Sequence, residues 1–450
     1  MTEQYDLVPR PSAHIKTLSR IGYTFVSAIG DLVDNCIAAN AKNVWIDFYP
    51  NNGEIELTIR DDGCGMDKSS LIENMRLSCK DPSDDRQSGD LGRFGSGMKT
   101  ASFSQCRKLI VASKNNNNPH TIASWDLDLI ERVNEWTLLV SYDIKKISFH
   151  DYEMFDEQSH GTTVVWRNFP RYYSLDMAEK EKMLGQDNAN LKTYLSLYFH
   201  KFLSANKNRV NIFLNNQKIT PVDPFLSGLP GYQEFPTEKF RIRKGGSITI
   251  TPHILPHESK LSDEQLDTLG GIDNITAKQG IYIYRANRLI VEGGWHGLAK
   301  LSLLGRLARI EVNVPTTLDE EWSTDVKKSS LIIPEKVKEK LRRLSFTPQE
   351  KSKRAYTYRG KLNETNSFWN IRTNPRNGMI SYEFNAKNEA LISLLNCMES
   401  NDQKEAILKY LELLVKELPL DSIFEKVASK SVDQTEVDFD KLYEELMHGG

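Results

Sequence analysis

Between Ser19 and Asn40 the apolar residues Phe25, Val26, Ile29, Leu32, Val33, Cys36 and Ile37 recur at steps of three and four. That is the period of a long, mostly buried helix. Two strand-like runs follow, Val44 to Tyr49 and Glu54 to Arg60, separated by Pro50 and the pair Asn52-Gly53. Asn-Gly is a favoured hairpin turn, so the runs are expected to pair antiparallel. A helix this apolar leading into a hairpin has to lie on a sheet, and the fold class expected is α+β.

The same pattern continues along the chain. Strands are expected at Lys108 to Ala112, Ile122 to Leu127, Thr137 to Tyr142 and Thr162 to Trp166, with helices at Met98 to Gln105 and near Leu191 to Leu203. A second unit opens near Arg209 with the strand Val210 to Leu214 and the turn Asn215-Asn216. It runs through strands Ser247 to Ile254, Gly280 to Tyr284 and Ile310 to Val314 to a helix that starts at Pro334. Helices are expected in the last part at Asn388 to Met398, Gln403 to Glu417, Asp421 to Ser429 and Val437 to Met447. The division is therefore 1–205, 206–345 and 346–450.

Composition excludes several classes. With 58 Lys and Arg against 61 Asp and Glu, the chain is too near neutrality to coat nucleic acid over its whole surface. The longest apolar runs, such as Leu138 to Val140 and Ile281 to Tyr284, fall far short of the ~18 to 20 residues of a membrane helix. The cysteines Cys36, Cys64, Cys79, Cys106 and Cys397 form no CxxC pair, which argues against a zinc or disulfide framework. The start, MTEQYDLVPRPS, lacks the charged-then-apolar text of a secretory signal, and a cytoplasmic protein is expected.

Three segments carry chemistry. Asp31 and Asn35 stand four apart on the first helix, so a carboxylate and an amide share one face. The strand Glu54 to Arg60 runs into Asp61-Asp62-Gly63-Cys64-Gly65-Met66, a turn whose glycines permit close backbone approach. Third, Gly92-Arg93-Phe94-Gly95-Ser96-Gly97-Met98-Lys99 opens a helix and aims free amides at an anion. It is not a Walker A loop, because Met98 intervenes between the last Gly and Lys99; nor is it GxGxxG, because Thr100 holds the third place.

Taken in order, with a Ser-, Asp- and Gly-rich segment between the second and third and the pair Gly161-Thr162 later, these segments resemble the ATP-binding domain of the superfamily of gyrase, the large heat-shock chaperone, histidine kinases and MutL (GHKL). The resemblance implies a Bergerat-type ATP-binding α/β sandwich and carries roles over by position. Asn35 would hold magnesium, and Asp61 would bind the adenine amino group. Gly63, Gly65 and Met66 would shape the base pocket with support from Thr162. Gly92, Arg93, Phe94, Gly95, Ser96, Gly97 and Met98 would cradle the phosphates, with Lys99 near them. The general base falls on Asp31, where the family usually has Glu, so hydrolysis is expected to be real but slow; Asp34 competes for that role. Ala38 replaces a usual Asp. Residues 67–91 would form a lid and Met1 to Pro11 a strap across a second copy.

LVDN, LSCKDPSDD and GRFGSGMKTASFS are similar to the MORC and MutL-like branch and its compact bacterial relatives. FLNNQKITP followed by GIYIYRANRLIVEGGW resembles the transducer domain of that branch, in which a lysine reaches the γ-phosphate; here it would be Lys327 or Lys328. From Lys327 to Lys361, twelve Lys and Arg stand against three Glu. Lys336, Lys338, Lys340, Arg342 and Arg343 in this run are candidates for DNA phosphate contacts. The leading reading is an ATP-gated homodimeric clamp on DNA in surveillance, restriction or phage defence, working with other defence or restriction proteins. The alternative is a nucleotide-dependent scaffold or chaperone-like protein with little or no hydrolysis.

Overall fold

The computed structural model describes residues 9–77, 97–143, 147–241, 246–316, 333–344, 369–373 and 380–417, apart from 21, 52–53, 117–118, 304, 336 and 399. Several expected features lie outside these residues: the Asn52-Gly53 turn, the strap up to Val8, lid residues 78–91, Gly92 to Ser96, Lys327, Lys328, Lys336 and the last two expected helices.

The first helix is shorter than its apolar period suggested, because a separate helix α1 (Pro11–Leu18) precedes it. Helix α2 (Phe25–Ala38) starts where Thr24 and Ser27 form a reciprocal capping box, and it stops before Asn40, which takes a left-handed φ of 60°. Strands β1 (Asn43–Asn51) and β2 (Glu54–Asp61) pair antiparallel as expected, with Val44 opposite Asp61.

Helix α3 (Lys68–Met75) and helix α4 (Gly97–Gln105) come next. Strands β3 (Lys108–Lys114) and β4 (Thr121–Asp126), the short helix α5 (Leu127–Val133) and the edge strand β5 (Leu139–Ser141) follow. Helix α6 (Tyr152–Glu157) and strand β6 (Gly161–Arg167) then lead to helix α7 (Met177–Tyr198) and the short α8 (His200–Leu203). Helix α7 begins well before the expected Leu191; the signal was the capping box of Asp176 and Glu179.

Strand β7 (Asn211–Leu214), expected to open the second unit, instead extends the first sheet together with β8 (Gln217–Lys218). Its order is β5-β4-β3-β6-β2-β1-β7-β8, with β7 parallel to β1. Period-two alternation divides the faces. Leu57, Ile59, Leu109, Val111, Val164 and Trp166 join Ile29, Leu32 and Val33 of α2 in the main core. Ile110, Ala112, Ile122 and Val165 point the other way and pack under Phe149 and Phe155. Truncating a core residue such as Ile29 to Ala costs about 2–5 kcal/mol by transfer and cavity terms together.

A second sheet contains β9 (Gln233–Glu234), β10 (Glu238–Arg241), β11 (Ser247–Ile254), β12 (Gly280–Arg285), β13 (Arg288–Val291) and β14 (Ala308–Val314). Its order is β10-β11-β14-β12-β13, with β9 beside β11, and helices α9 (Asp263–Thr268) and α10 (Gly271–Ala277) lie between β11 and β12 in the chain. Tyr282, Tyr284 and Leu289 of this sheet pack with Phe225 against Leu197 and Tyr198 at the end of α7.

Contacts divide the chain into Met1–Lys300 with Ala308–Pro348, and Leu301–Leu307 with Gln349–Gly450. Both large sheets belong to the first unit. In the second, a hairpin, Trp369–Thr373 with Ile380–Phe384, precedes helices Glu389–Asn396 and Asn401–Lys416. Among the described residues no helix is long and apolar enough to cross a membrane.

Candidate nucleotide site

The capping box fixes the register of α2 and therefore which way Asp31 and Asn35 point. From Ala28 to Cys36 every residue is buried except Asn35, the one position on this stretch that opens to solvent. Asp31 Oδ2 accepts a hydrogen bond from Tyr23 Oη at 2.8 Å. Gln105 Nε2 donates to the Tyr23 carbonyl at 3.3 Å, which ties this residue to α4. A β-carbon on Gly97 would stand 3.9 Å from Asp31 Oδ2, so the carboxylate faces the start of α4. Asp34, the competing base, is engaged elsewhere: Arg288 Nε donates to its Oδ1 at 3.0 Å.

The opposite wall is built by strand register. Asp61 on β2 lies opposite Thr162 on β6, which lies opposite Ser113 on β3. The Gly63 amide donates to Asp61 Oδ1 at 2.7 Å. Burial pushes the Asp61 carboxyl up to about 6, against hydrogen bonds from the Gly63 amide, the Cys36 thiol and the Thr162 backbone that favour the carboxylate. Asp62, its neighbour, closes the α2–β1 turn by accepting from the Lys42 and Asn43 amides at 2.7 and 2.8 Å.

Gly65 has a left-handed φ of 64°, and any β-carbon there would fall 1.7 Å from the Lys114 carbonyl oxygen, so only glycine fits. The Met66 amide donates to Ser113 Oγ at 2.9 Å, and Ser113 Oγ lies 2.8 Å from Thr162 Oγ1. His160 Nδ1 is 2.7 Å from the Gly63 carbonyl and braces the turn from outside.

The third wall is α4. Met98 packs half-buried on the main core, and Ser102 Oγ, which donates to the Met98 carbonyl, accepts from the buried indole of Trp166 at 2.8 Å. Lys99 is buried, and its Nζ donates to the Asn74 carbonyl at 2.6 Å, while Trp125 Nε1 donates to the Met75 carbonyl at 3.0 Å. Both groups satisfy carbonyls at the C-terminal end of α3, the root of the expected lid.

The structure thus sets Asp31 and Asn35 on α2, Gly97 and Met98 at the start of α4, and Asp61, Gly63, Gly65, Met66 and Thr162 at the ends of β2 and β6, whereas Lys99, expected near the phosphates, is buried with its ammonium on the Asn74 carbonyl. Sequence reasoning missed Tyr23, Ser113 and Arg288. Tyr23 sits beside the Thr24 cap and Ser113 is in register with Thr162, but Arg288 lies 254 positions from its partner and left no local signal. Farther along the same unit, helical segment 337–344 buries Val337 and Leu341; Lys340 and Arg343 pair with Glu238 at 3.3 Å each, and Lys338 with Glu335.

A sheet-and-helix layer whose candidate site residues lie on one helix, on adjacent strand ends and on a glycine-led helix is the arrangement of an ATP-binding domain of the Bergerat type. Residues 23–162 match the family described as histidine kinase-, DNA gyrase B- and HSP90-like ATPase. Over 115 residues the chain is 30% identical to the ATPase morc-1 of Caenorhabditis elegans, a stretch that covers 25% of this chain and 13% of that protein. Residues 23–162 are therefore similar to GHKL-type ATPase domains, and part of the chain is similar to a MORC ATPase of which it spans only a small share.

Proposed function

We propose that this chain binds ATP with magnesium at the residues described above and hydrolyses it slowly. The observation that carries the reading is the pairing on α2: Asp31, held by Tyr23 and facing the start of α4, one helical turn from the exposed amide of Asn35. Asp61 accepts from the adenine amino group, Gly63, Gly65, Met66 and Thr162 shape the base pocket, and Gly92 to Met98 carry the phosphates. Asn35 fits magnesium: one hard amide oxygen exposed on α2 suits an ion that takes its other ligands from phosphates and water. Bound there, the ion would neutralise phosphate charge.

Asp31 orients a water whose oxygen bonds to the γ-phosphorus; the bond from that phosphorus to the β,γ-bridging oxygen breaks, the water proton passes to the carboxylate, and ADP and phosphate leave. An aspartate reaches one methylene less than a glutamate, which is why the turnover is slow. The engagement of Asp34 by Arg288 favours Asp31 over Asp34 as the base.

Residues 206–345 act as a transducer-like domain, with Lys327 or Lys328 sensing the γ-phosphate, and 346–450 as a separate C-terminal region. ATP orders the lid over 67–91 and closes two copies into a clamp through the N-terminal strap. DNA is the client, held through Lys336, Lys338, Lys340, Arg342 and Arg343 without base reading. Glu238 does not cancel this stretch, because exposed ion pairs contribute only ~0–1 kcal/mol and exchange readily for phosphate. The setting is the cytoplasm, in DNA surveillance, restriction or phage defence.

The test is steady-state ATP turnover and solution mass, with and without DNA, for the natural chain, Asp31→Asn and Asn35→Ala. Asp31→Asn is expected to abolish turnover while retaining ATP, and Asn35→Ala to lose the magnesium dependence of binding. A non-hydrolysable analogue is expected to double the mass, and DNA to raise turnover. Equal background turnover in the natural chain and Asp31→Asn sinks the hydrolase reading; a constant mass without DNA response sinks the clamp.

A further inference from the structure

We propose that Arg288, from the edge strand of the second sheet, is a positioning residue for the hydrolysis proposed above, acting through α2 to set the pose of Asp31 and Asn35. The inference rests on that hydrolase reading and adds to it the route by which the second sheet governs the site.

Arg288 follows the Ala286-Asn287 turn of the β12–β13 hairpin, both residues of which have left-handed φ values of 47° and 68°. That tight turn directs the next side chain out of its own sheet and onto the back of the first domain. The residue is 4% exposed there, and each part of its guanidinium fork is used. Nε donates to Asp34 Oδ1 at 3.0 Å, Nη1 to the Tyr198 carbonyl at 3.1 Å, and Nη2 to Tyr194 Oη at 2.7 Å. The plane lies 3.8 Å from the centroid of Phe199. A planar fork that binds a carboxylate on α2, a hydroxyl and a carbonyl on α7 and a ring beyond it is a rigid joint, which a lysine cannot reproduce.

An independent observation lies in α2 itself. Glycine inside a helix costs about 1 kcal/mol relative to alanine, yet Gly30 sits in the middle of α2, directly before Asp31. A β-carbon at Gly30 would stand 2.8 Å from Tyr194 and 3.0 Å from Arg288 Nη2. The helix gives up propensity at this position so that the Arg288–Tyr194 pair can press on its backbone.

The faces of α2 complete the argument. Asp34 and Asn35 are neighbours about 100° apart around the helix, with Asp31 between them one turn earlier. The face gripped by Arg288 therefore adjoins the face presented to nucleotide. Arg288 also lies within electrostatic reach of Asp31. A displacement of the β12–β13 hairpin moves the group holding α2, and with it the base and the magnesium ligand, whereas the adenine wall on β2, β6 and β3 stays fixed. The inference is thus a specific effect on turnover rather than on base binding.

The experiment uses the full chain, with equilibrium binding of a fluorescent methylanthraniloyl ATP, steady-state turnover and thermal melting. Arg288→Met is expected to lower kcat by roughly 3- to 30-fold, with the dissociation constant of the probe within about twofold of the natural value. Arg288→Lys, which keeps the charge and loses the fork, is expected to fall between. Gly30→Ala is expected to reproduce the kcat loss despite its better helix propensity.

Because Arg288→Met takes the guanidinium away from the buried Asp34 carboxylate, the double variant Asp34→Asn/Arg288→Met supplies the control for folding. Removing both partners is expected to recover melting temperature without recovering turnover. If turnover recovers together with the melting temperature, or if Arg288→Met turns over like the natural chain, the positioning role is overturned and the residue is only structural. If the natural chain and Asp31→Asn share one background rate, the hydrolase reading itself falls and this inference falls with it.

Discussion

At Asp61 one carboxylate answers two opposed demands. Burial raises it to about 6, so at neutral pH the fold carries an ionised group it would hold more easily protonated. That is the expected condition of a side chain kept as an acceptor for a ligand donor rather than for stability. Asp61→Asn is expected to melt at the natural temperature or above, since burying an amide costs less than burying a carboxylate. The same change is expected to weaken ATP roughly tenfold or more, because the amide turns a donor toward the adenine amino group. Calorimetric titration should also show ATP binding by the natural chain weakening as pH falls through about 6, when the acceptor is protonated. Undiminished affinity in Asp61→Asn would remove Asp61 from the base pocket.

Among elements, the turn after β2 and the helix α4 hold their places by contacts that sequence proximity does not suggest. Gly65 and Gly297 have similar left-handed φ values, 64° and 79°, but a β-carbon at Gly297 meets nothing within 4 Å, whereas at Gly65 it would strike the end of β3. Gly297→Ala is expected to cost only the ~1–2 kcal/mol of left-handed strain. Gly65→Ala is expected to cost more, roughly 3 kcal/mol or above, because backbone must move. It is also expected to reduce ATP affinity, since Met66 and Ser113 shift with the turn. Denaturant unfolding of the two variants side by side is the measurement, and equal losses would mean the turn is not pinned to β3.

For the whole molecule, two buried histidines, His200 and His253, are expected to contribute to acid sensitivity. His200, pushed down to about 4 by burial, is 2.8 Å from Tyr284 Oη; His253, also lowered by burial, is 2.8 Å from Tyr232 Oη. A histidine whose folded pKa is depressed contributes stability above its unfolded pKa near 6.5 and loses it as pH falls. Asp61 and Asp47, both raised by burial, act in the opposite sense, since their cost is withdrawn between about 6 and 3.8. Against that gain the two histidines tilt the melting temperature downward between pH 6.5 and 4. His200→Gln, which keeps a partner for Tyr284, is expected to flatten that slope. An unchanged slope in the variant would place the acid sensitivity elsewhere.

How much was legible depends on range along the chain. The α2 period, the β1–β2 hairpin and the order of the nucleotide segments are local patterns, set by side-chain periodicity and by turn chemistry between near neighbours, and these the sequence determined by itself. So were Asp31, Asn35 and Asp61 as candidates, because helix spacing and a strand end state their directions in advance. What only the tertiary structure decided are relations between distant segments. It placed β7 and β8 beside β1 rather than in the second sheet, and it turned Lys99 to the end of α3. It gave Asp34 to Arg288 across 254 positions and thereby left Asp31 as the carboxylate facing the start of α4. The physical reason is that hydrophobic periodicity reports which face of an element is buried, whereas the partner that covers it is selected by shape and charge complementarity across the fold, which no local run of residues contains.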